Sequence, residues 1–326
     1  MKAILVNDDK SLRFDEVPDP VIKDYEILIK VAAAGVNRAD LMQREGDYPP
    51  PPGAPEWMGL EVSGYVEKMG ALAEKNSGYK IGDKVCALLG GGGYAEYVAV
   101  DYKMSMPLPK GCSLVDAAAI PEAFATAYLN LFIEGGLKKG DTLLMQAGAS
   151  GLASVIIPMA KAFGARVITT VLGEEKKKAI AHLKADRVVD TLTEDLAEVL
   201  REELEAGHSV DVCIDCLGGR GMGKCLHYLT KGARWIMIAA LAGNLTEIDL
   251  KNIYVRNVRI IGSTLRSRTP EVKAEILSKL VSEVWRFVED GSVTPTVFAT
   301  MPITEAEAAH SLLYEGKSVG KVVLTF

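Results

Sequence analysis

The stretch Asp141 to Thr170, DTLLMQAGASGLASVIIPMAKAFGARVITT, constrains the fold of this chain more than any other. An apolar run (Thr142 to Met145) leads into small residues (Ala147, Gly148, Ala149, Ser150, Gly151), then a helically spaced apolar pattern, then a β-branched run from Val167 to Thr170. That is strand, glycine-rich turn, helix and strand, the order of a βαβ crossover. In such a unit the unpaired N–H groups and the dipole at the helix start suit a dinucleotide pyrophosphate. An ordinary tight turn uses the same residues, so the flanking chain has to decide.

At 326 residues the chain is about two domains long and can bury substantial cores without disulfide or metal staples. Its net charge of -6 carries no basic stripe, and Lys176, Lys177 and Lys178 form the one basic run, which argues against a nucleic-acid partner. The opening MKAILVNDDK lacks the apolar core of a signal peptide. No segment approaches the roughly 20 apolar residues of a membrane span. The expectation is a cytoplasmic protein. Five scattered cysteines (Cys86, Cys112, Cys213, Cys216, Cys225) read as free thiols.

The first 35 residues alternate β-rich runs with turn signals such as Pro18-Asp19-Pro20, an antiparallel start. Asn37 to Arg44 is a short helix candidate, followed by the proline-rich Tyr48 to Pro55, which is either a rigid surface linker or a pocket wall beside Asn37, Arg38 and Asp40. Glu61 to Glu67 and Lys84 to Leu89 read as strands. From Ser113, a candidate helix cap, the pattern turns helical, and a domain boundary falls near Pro121. Strand and helix candidates then alternate up to a strand at Val258 to Ile261, which specifies a doubly wound α/β parallel sheet. Glu271 to Glu289 reads as one amphipathic helix, and Lys321 to Phe326 is β-like and rejoins the first domain.

Cys213 and Cys216 form a C-x-x-C on a predicted strand, where residues three apart face opposite ways, so one metal or bridge does not suit both. The four histidines are dispersed and lack metal spacing. Gly148-Ala149-Ser150-Gly151 falls short of a nucleophile elbow because Leu152 stands where the last glycine belongs. Past the glycines, the second strand ends in Thr170, Val171, Leu172 and Gly173 with no acid, and Lys176 follows. A neutral strand end beside a cation suits the 2′-phosphate of NADP(H). The competing reading is that Lys176 to Lys178 form a solvated helix face.

Co-linear motifs run along nearly the whole chain: AGVNRADLMQREGDYPPPPG, MGLEVSG, GGYAEY, IPEAFATAY, AGASGL, IDCLGG, GARW, STLRSR and GKVVL. On these the chain resembles the zinc-free quinone oxidoreductases of the medium-chain dehydrogenase/reductase superfamily, related to zeta-crystallin, and within them the apoptosis-associated quinone oxidoreductases. The resemblance implies a β-rich, GroES-like catalytic domain from residues 1–121 and 266–326, and a Rossmann domain from 122–265. Asn37 and Leu60 stand where zinc-dependent relatives carry a metal-binding Cys and His, so no metal is implied. By matching position, the resemblance places Asn37 and Thr126 near the nicotinamide, Gly148, Ser150, Gly151 and Leu152 at the pyrophosphate, and Lys176 at the 2′-phosphate. Leu265, Arg266 and Lys321 fall in segments that close over the cofactor, and Tyr48 is the substrate-pocket aromatic.

The implied activity is NADPH-dependent reduction of quinones or related conjugated carbonyls, with Asn37 a candidate hydrogen-bond donor to the acceptor oxygen. An enoyl or alkenal double-bond reductase, and a non-catalytic NADPH-binding or structural protein, stay open. The departures that favour the last are Ala153 for the final fingerprint glycine, Gly173 where relatives often carry Ser, and Thr191 where many have Tyr; Pro158, mid-helix, is expected to kink the helix or to cost about 3 kcal/mol in a straight one. A homodimer is expected through the strand near Val258 to Ile261.

Overall fold

The computed structural model describes residues 1–316 and 318–326. In chain order its strands are β1 (Lys2–Val6), β2 (Leu12–Glu16), β3 (Glu26–Val36), β4 (Glu61–Met69), β5 (Lys84–Leu88), β6 (Tyr97–Asp101) and β7 (Ser105–Pro107). Six more follow: β8 (Thr142–Met145), β9 (Arg166–Val171), β10 (Arg187–Asp190), β11 (Val212–Asp215), β12 (Arg234–Met237) and β13 (Arg259–Gly262). The last two are β14 (Val297–Pro302) and β15 (Lys321–Thr325). The chain divides into two units, one of Met1–Ala125, Arg266–Gly291 and Pro295–Phe326, the other of Thr126–Leu265 with Ser292–Thr294.

The first unit is built on a mostly antiparallel sheet in the order β14-β15-β3-β4-β5-β7, with β6 also paired to β3. Its centre is β3, whose residues Ile27 to Ile29 and Ala33 to Val36 are buried. The chain's last strand, β15, lies antiparallel to β3, with Val322 opposite Val36 and Leu324 opposite Ala34. Ala33, Ala118, Ala119 and Val323 form a small-residue core there, which lets the Leu114–Ala117 helix lie close to the sheet. Ser113 caps that helix through the Asp116 N–H, as the sequence predicts.

The second unit is a six-stranded parallel sheet in the order β10-β9-β8-β11-β12-β13. Sequential strands β8, β9 and β10 run outward to one side and β11, β12 and β13 to the other, so the order reverses between β8 and β11, the switch point of a doubly wound sheet. Strands β8 and β11 are buried along their whole length, as a sheet covered on both faces requires. Its core gathers Leu144, Ile168, Val189, Cys213 and Trp235. Strand β13 is the edge, paired only to β12, with Ile260 exposed.

Several boundaries differ from the sequence expectation. The Ala153–Ala162 helix carries Pro158 in its interior and stops one residue short of the expected Phe163. The expected single helix over Glu271 to Glu289 becomes Pro270–Lys279 and Trp285–Glu289 joined by a wider turn at Leu280–Val284. The helices Leu250–Arg256 and Ala306–Tyr314 were not anticipated; the first buries no residue fully, though Ile253 packs against the core of its unit. All five cysteines are free thiols, Cys213 and Cys216 both buried. No helix among the described residues is long and apolar enough to cross a membrane.

Candidate active site

In the parallel-sheet unit the loops at the carboxyl ends of β8, β9, β10 and β11 carry the features that suit a dinucleotide. Ala147 turns the chain after β8 with a left-handed φ of 56°, its N–H donating to Thr170 Oγ1 at 3.0 Å and that of Gly148 to Thr170 O at 2.7 Å. Gly148 has to be glycine, because a Cβ there would overlap the Thr169 hydroxyl. Ser150 Oγ accepts from Ala153 N at 3.1 Å and so caps the Ala153–Ala162 helix, while the N–H groups of Gly151 and Leu152 make no hydrogen bond among the described residues. These free donors at the start of a ten-residue helix fit an anionic pyrophosphate.

After β9, Gly173 adopts φ 91°, a conformation that strains any other residue. Its N–H donates to Asp190 Oδ1 at 2.8 Å, and that oxygen also accepts from Leu192 N at 3.1 Å. The acid at the end of β10 therefore shapes the turn. Thr191 Oγ1 donates to Val171 O at 3.1 Å, tying the same two strand ends. Lys176 lies in the Glu174–Ala179 helix, where Glu174 pairs with Lys178 at 3.9 Å and Lys176 has no ion pair among the described residues. Thr126 O accepts from Asn130 Nδ2 at 2.8 Å, and Leu265 is buried.

The β-rich unit holds a buried polar cluster. Asn37 caps the Arg38–Glu45 helix, and Asp40 in its first turn accepts from Asn37 N (2.8 Å), Gly59 N (3.1 Å) and the Tyr94 hydroxyl (3.1 Å). Lys321 on β15 donates to Asn37 Oδ1 at 2.6 Å and forms an ion pair with Glu61 on β4. Glu61 also accepts from Asn37 Nδ2 (3.0 Å) and from the Glu122 N–H (2.9 Å). Lys321 and Glu61 are both buried, so each charge depends on the other. Gly35 on β3 is glycine because a Cβ there would strike the Glu61 carboxylate and come within 2.6 Å of Ala118 O.

Burial pushes the Asp40 carboxyl up to about 6. It pushes Glu122 further, to about 7, with the Glu61 charge adding to the shift and Lys321 opposing it. At the far end of the cluster, Tyr94 OH donates to Asp40 and accepts from His310 Nε2 at 3.3 Å. His310 Nδ1 is buried without a partner, which suits a neutral ring with a bare lone pair there. Burial and the Arg44 charge accordingly hold His310 down at about 4.

Tyr48 and Arg266 form a second group in this unit. The Arg266 guanidinium stacks 4.5 Å from the Tyr48 ring centre and donates to Tyr48 O (3.1 Å), Gln43 Oε1 (2.8 Å) and Gly90 O (3.0 Å). It thus clamps the start of the proline-rich loop to the glycine run at Gly90. Lys273 Nζ donates to Arg266 O at 2.8 Å.

The structure brings Asn37 and Lys321 together, and Tyr48 with Arg266. Two expectations change. Asn37 cannot serve as a free donor in this arrangement, because its amide hydrogens go to Glu61 and to Gly35 O (3.4 Å). Arg266 turns both of its Nη groups to its own unit, while its Nε is buried without a hydrogen-bond partner. Glu61, Glu122, Tyr94 and His310 were missed as a group; the available signal was Glu61 and Ser63 interrupting an otherwise apolar strand start. The donor set does not suit a metal ion: Leu60 is a buried hydrocarbon, an ammonium already sits on Asn37 Oδ1, and no group of three or more metal-ligating side chains occurs among the described residues.

Comparison with known proteins agrees with this architecture. Residues 23–110 match the alcohol dehydrogenase GroES-like domain and residues 151–283 the zinc-binding dehydrogenase domain. Quinone oxidoreductase from Mus musculus is 28% identical over 312 residues, 95% of this chain and 92% of that protein. The quinone oxidoreductase of Thermus thermophilus, solved also in complex with NADPH, is 30% identical with a TM-score of 0.81 over the full length of both chains. A 2-haloacrylate reductase superposes with a TM-score of 0.82 at 25% identity, over 100% of this chain and 99% of that one. With a GroES-like β-rich unit, a doubly wound dinucleotide-type unit and this match along its whole length, the chain belongs to the medium-chain dehydrogenase/reductase family of oxidoreductases.

Proposed function

We propose that this chain is an NADPH-dependent reductase that passes hydride to quinones or related conjugated carbonyls without a metal ion. The observation that carries the reading is the Lys321 ammonium against Asn37 and Glu61, a protein cation where zinc-dependent relatives bind metal. The quinone oxidoreductase relatives support the acceptor class. When bound, the dinucleotide supplies the hydride. Gly148, Ser150, Gly151 and Leu152 are the residues to hold its pyrophosphate, and Lys176 its 2′-phosphate. As the resemblance implies, Asn37 and Thr126 are assigned to the nicotinamide, and Leu265, Arg266 and Lys321 to segments that close over the cofactor. Asn37 acts there as a positioning group, fixing Lys321 and Glu61, and Tyr48, held by Arg266, offers the aromatic face for a flat acceptor.

The 2-haloacrylate reductase likeness favours a second reading, reduction of an activated carbon–carbon double bond. A panel of quinones, alkenals and 2-enoyl thioesters with NADPH and NADH separates them. Quinone turnover with NADPH is expected to dominate, and Lys176→Ala to raise the KM for NADPH about tenfold, a loss of about 1.4 kcal/mol, while leaving that for NADH alone. Oxidation of NADPH by no quinone above the blank, in protein that binds the cofactor, would overturn the assignment.

A further inference from the structure

The order of the parallel sheet reverses between β8 and β11, and one polar side chain sits at the end of β8 there. Past Met145 the ladder runs one rung further: Gln146 N donates to Ile214 O at 3.1 Å, and the Cys216 thiol donates to Gln146 O at 3.9 Å. Gln146 is only 7% exposed, yet its side-chain amide makes no hydrogen bond among the described residues. Buried amides are normally paired, so this one calls for a partner. The polar groups on the neighbouring strands are already engaged. Asp215 gives Oδ1 to the N–H groups of Leu217 (2.7 Å) and Gly218 (3.0 Å), and Oδ2 to Trp235 Nε1 (2.9 Å). On the β9 side, Thr169 Oγ1 donates to Met145 O at 2.7 Å and Thr170 Oγ1 accepts from Ala147 N at 3.0 Å.

The little surface that Gln146 keeps can open in one direction. Strand β8 is buried along its whole length and has β9 and β11 on its two sides, which leaves the carboxyl end of the strand. That is where a doubly wound sheet receives its ligand.

We infer that the Gln146 amide binds the dinucleotide, taking a ribose hydroxyl on the nicotinamide side of the pyrophosphate. This rests on the dinucleotide part of the reading above and not on the identity of the acceptor. A primary amide offers a donor and an acceptor together. A phosphate oxygen uses only the donor and leaves Oε1 unpaired, whereas a hydroxyl donates to Oε1 and accepts from Nε2. The choice of ribose follows from the strand order. The helix that carries Lys176 follows β9, on one side of β8, and Gln146 is bonded to β11 on the other. Its amide therefore meets the half of the dinucleotide that lies away from the 2′-phosphate.

Calorimetric titration of wild type and Gln146→Met, an apolar side chain of nearly the same length, tests this with NADPH, NADH and adenosine 2′,5′-bisphosphate. The first two carry the nicotinamide ribose and the third does not. Gln146→Met should weaken NADPH and NADH alike, each about tenfold, and leave the bisphosphate within about twofold. The apo variant should melt no lower than wild type, because an unpaired buried amide has been removed. In wild type the Gln146 amide resonances, identified by their loss in the variant, should shift on adding NADPH and stay in place with the bisphosphate. Unchanged dinucleotide affinity, an equal loss with the bisphosphate, or an apo variant that melts well below wild type would each overturn the inference. A wild type and variant that show this pattern while no quinone is reduced support the inference and fail the function reading; a wild type that binds neither dinucleotide overturns both.

Discussion

Lys321 and Glu61 show how much of a buried residue's setting lies outside its own stretch of sequence. Glu61 opens a strand, and nothing local says that its carboxylate is buried; the cation that neutralises it lies 260 positions along the chain. Asn37, Asp40 and the helix between Arg38 and Glu45 were legible, because capping chemistry is local. The roles of Glu122, Tyr94 and His310 were not, because each depends on partners brought together by the sheet. The ion pair makes a direct prediction. Lys321→Met leaves Glu61 as an unpaired buried charge and should lower stability by about 3 kcal/mol or more, whereas Glu61→Gln combined with Lys321→Met should recover most of that loss. Denaturant titration of the singles and the double measures it; a Lys321→Met protein as stable as wild type would show that the pair is not what neutralises Glu61.

At the scale of elements, the βαβ unit was read correctly because period and turn chemistry agree there: β8, the glycine turn, the helix and β9 all follow from Asp141 to Thr170. Pro158 was expected to disturb the helix and does not end it, so the missing N–H is accommodated within a helix whose other positions pack well. Gly173, which stands where relatives often carry Ser, takes a positive φ in a turn pinned by Asp190. Strand β14 and the Ala306–Tyr314 helix escaped notice although β14 alternates half-buried and exposed positions and the helix buries Ala306, Ala309 and His310 on one face. The tightest contact of the crossover yields the second prediction. Gly148→Ala should cost about 2 kcal/mol through overlap with Thr169, and Thr169→Ala in the same chain should return part of it. Thermal unfolding of the three variants reads the coupling; additive losses would mean the two residues do not compete for the same space.

For the whole molecule, the fold class and its doubly wound order follow from the alternation of strands and helices, but assembly was readable only as an expectation from the resemblance. The structure adds a physical motive. Strand β13 is an edge with Ile260 42% exposed, and the helix leading into it, Leu250–Arg256, buries none of its residues and leaves Tyr254 and Val255 exposed. An apolar edge of this kind invites pairing with a second copy. Ile260→Lys should therefore shift the protein toward monomer in light scattering at micromolar concentration, with the fold retained; a wild type already monomeric there would remove the case for a dimer.

The position of Lys321 on β15 bears also on how the molecule is made. Asn37, Asp40 and Glu61 are made more than 250 residues before the ammonium that completes their cluster, which arrives on a strand that closes against β3. Until β15 docks, β3 has an open edge and Glu61 has no counter-charge, so the same strand completes both the sheet and the buried polar cluster. A chain arrested before that strand would leave Glu61 without its counter-charge and should be less stable.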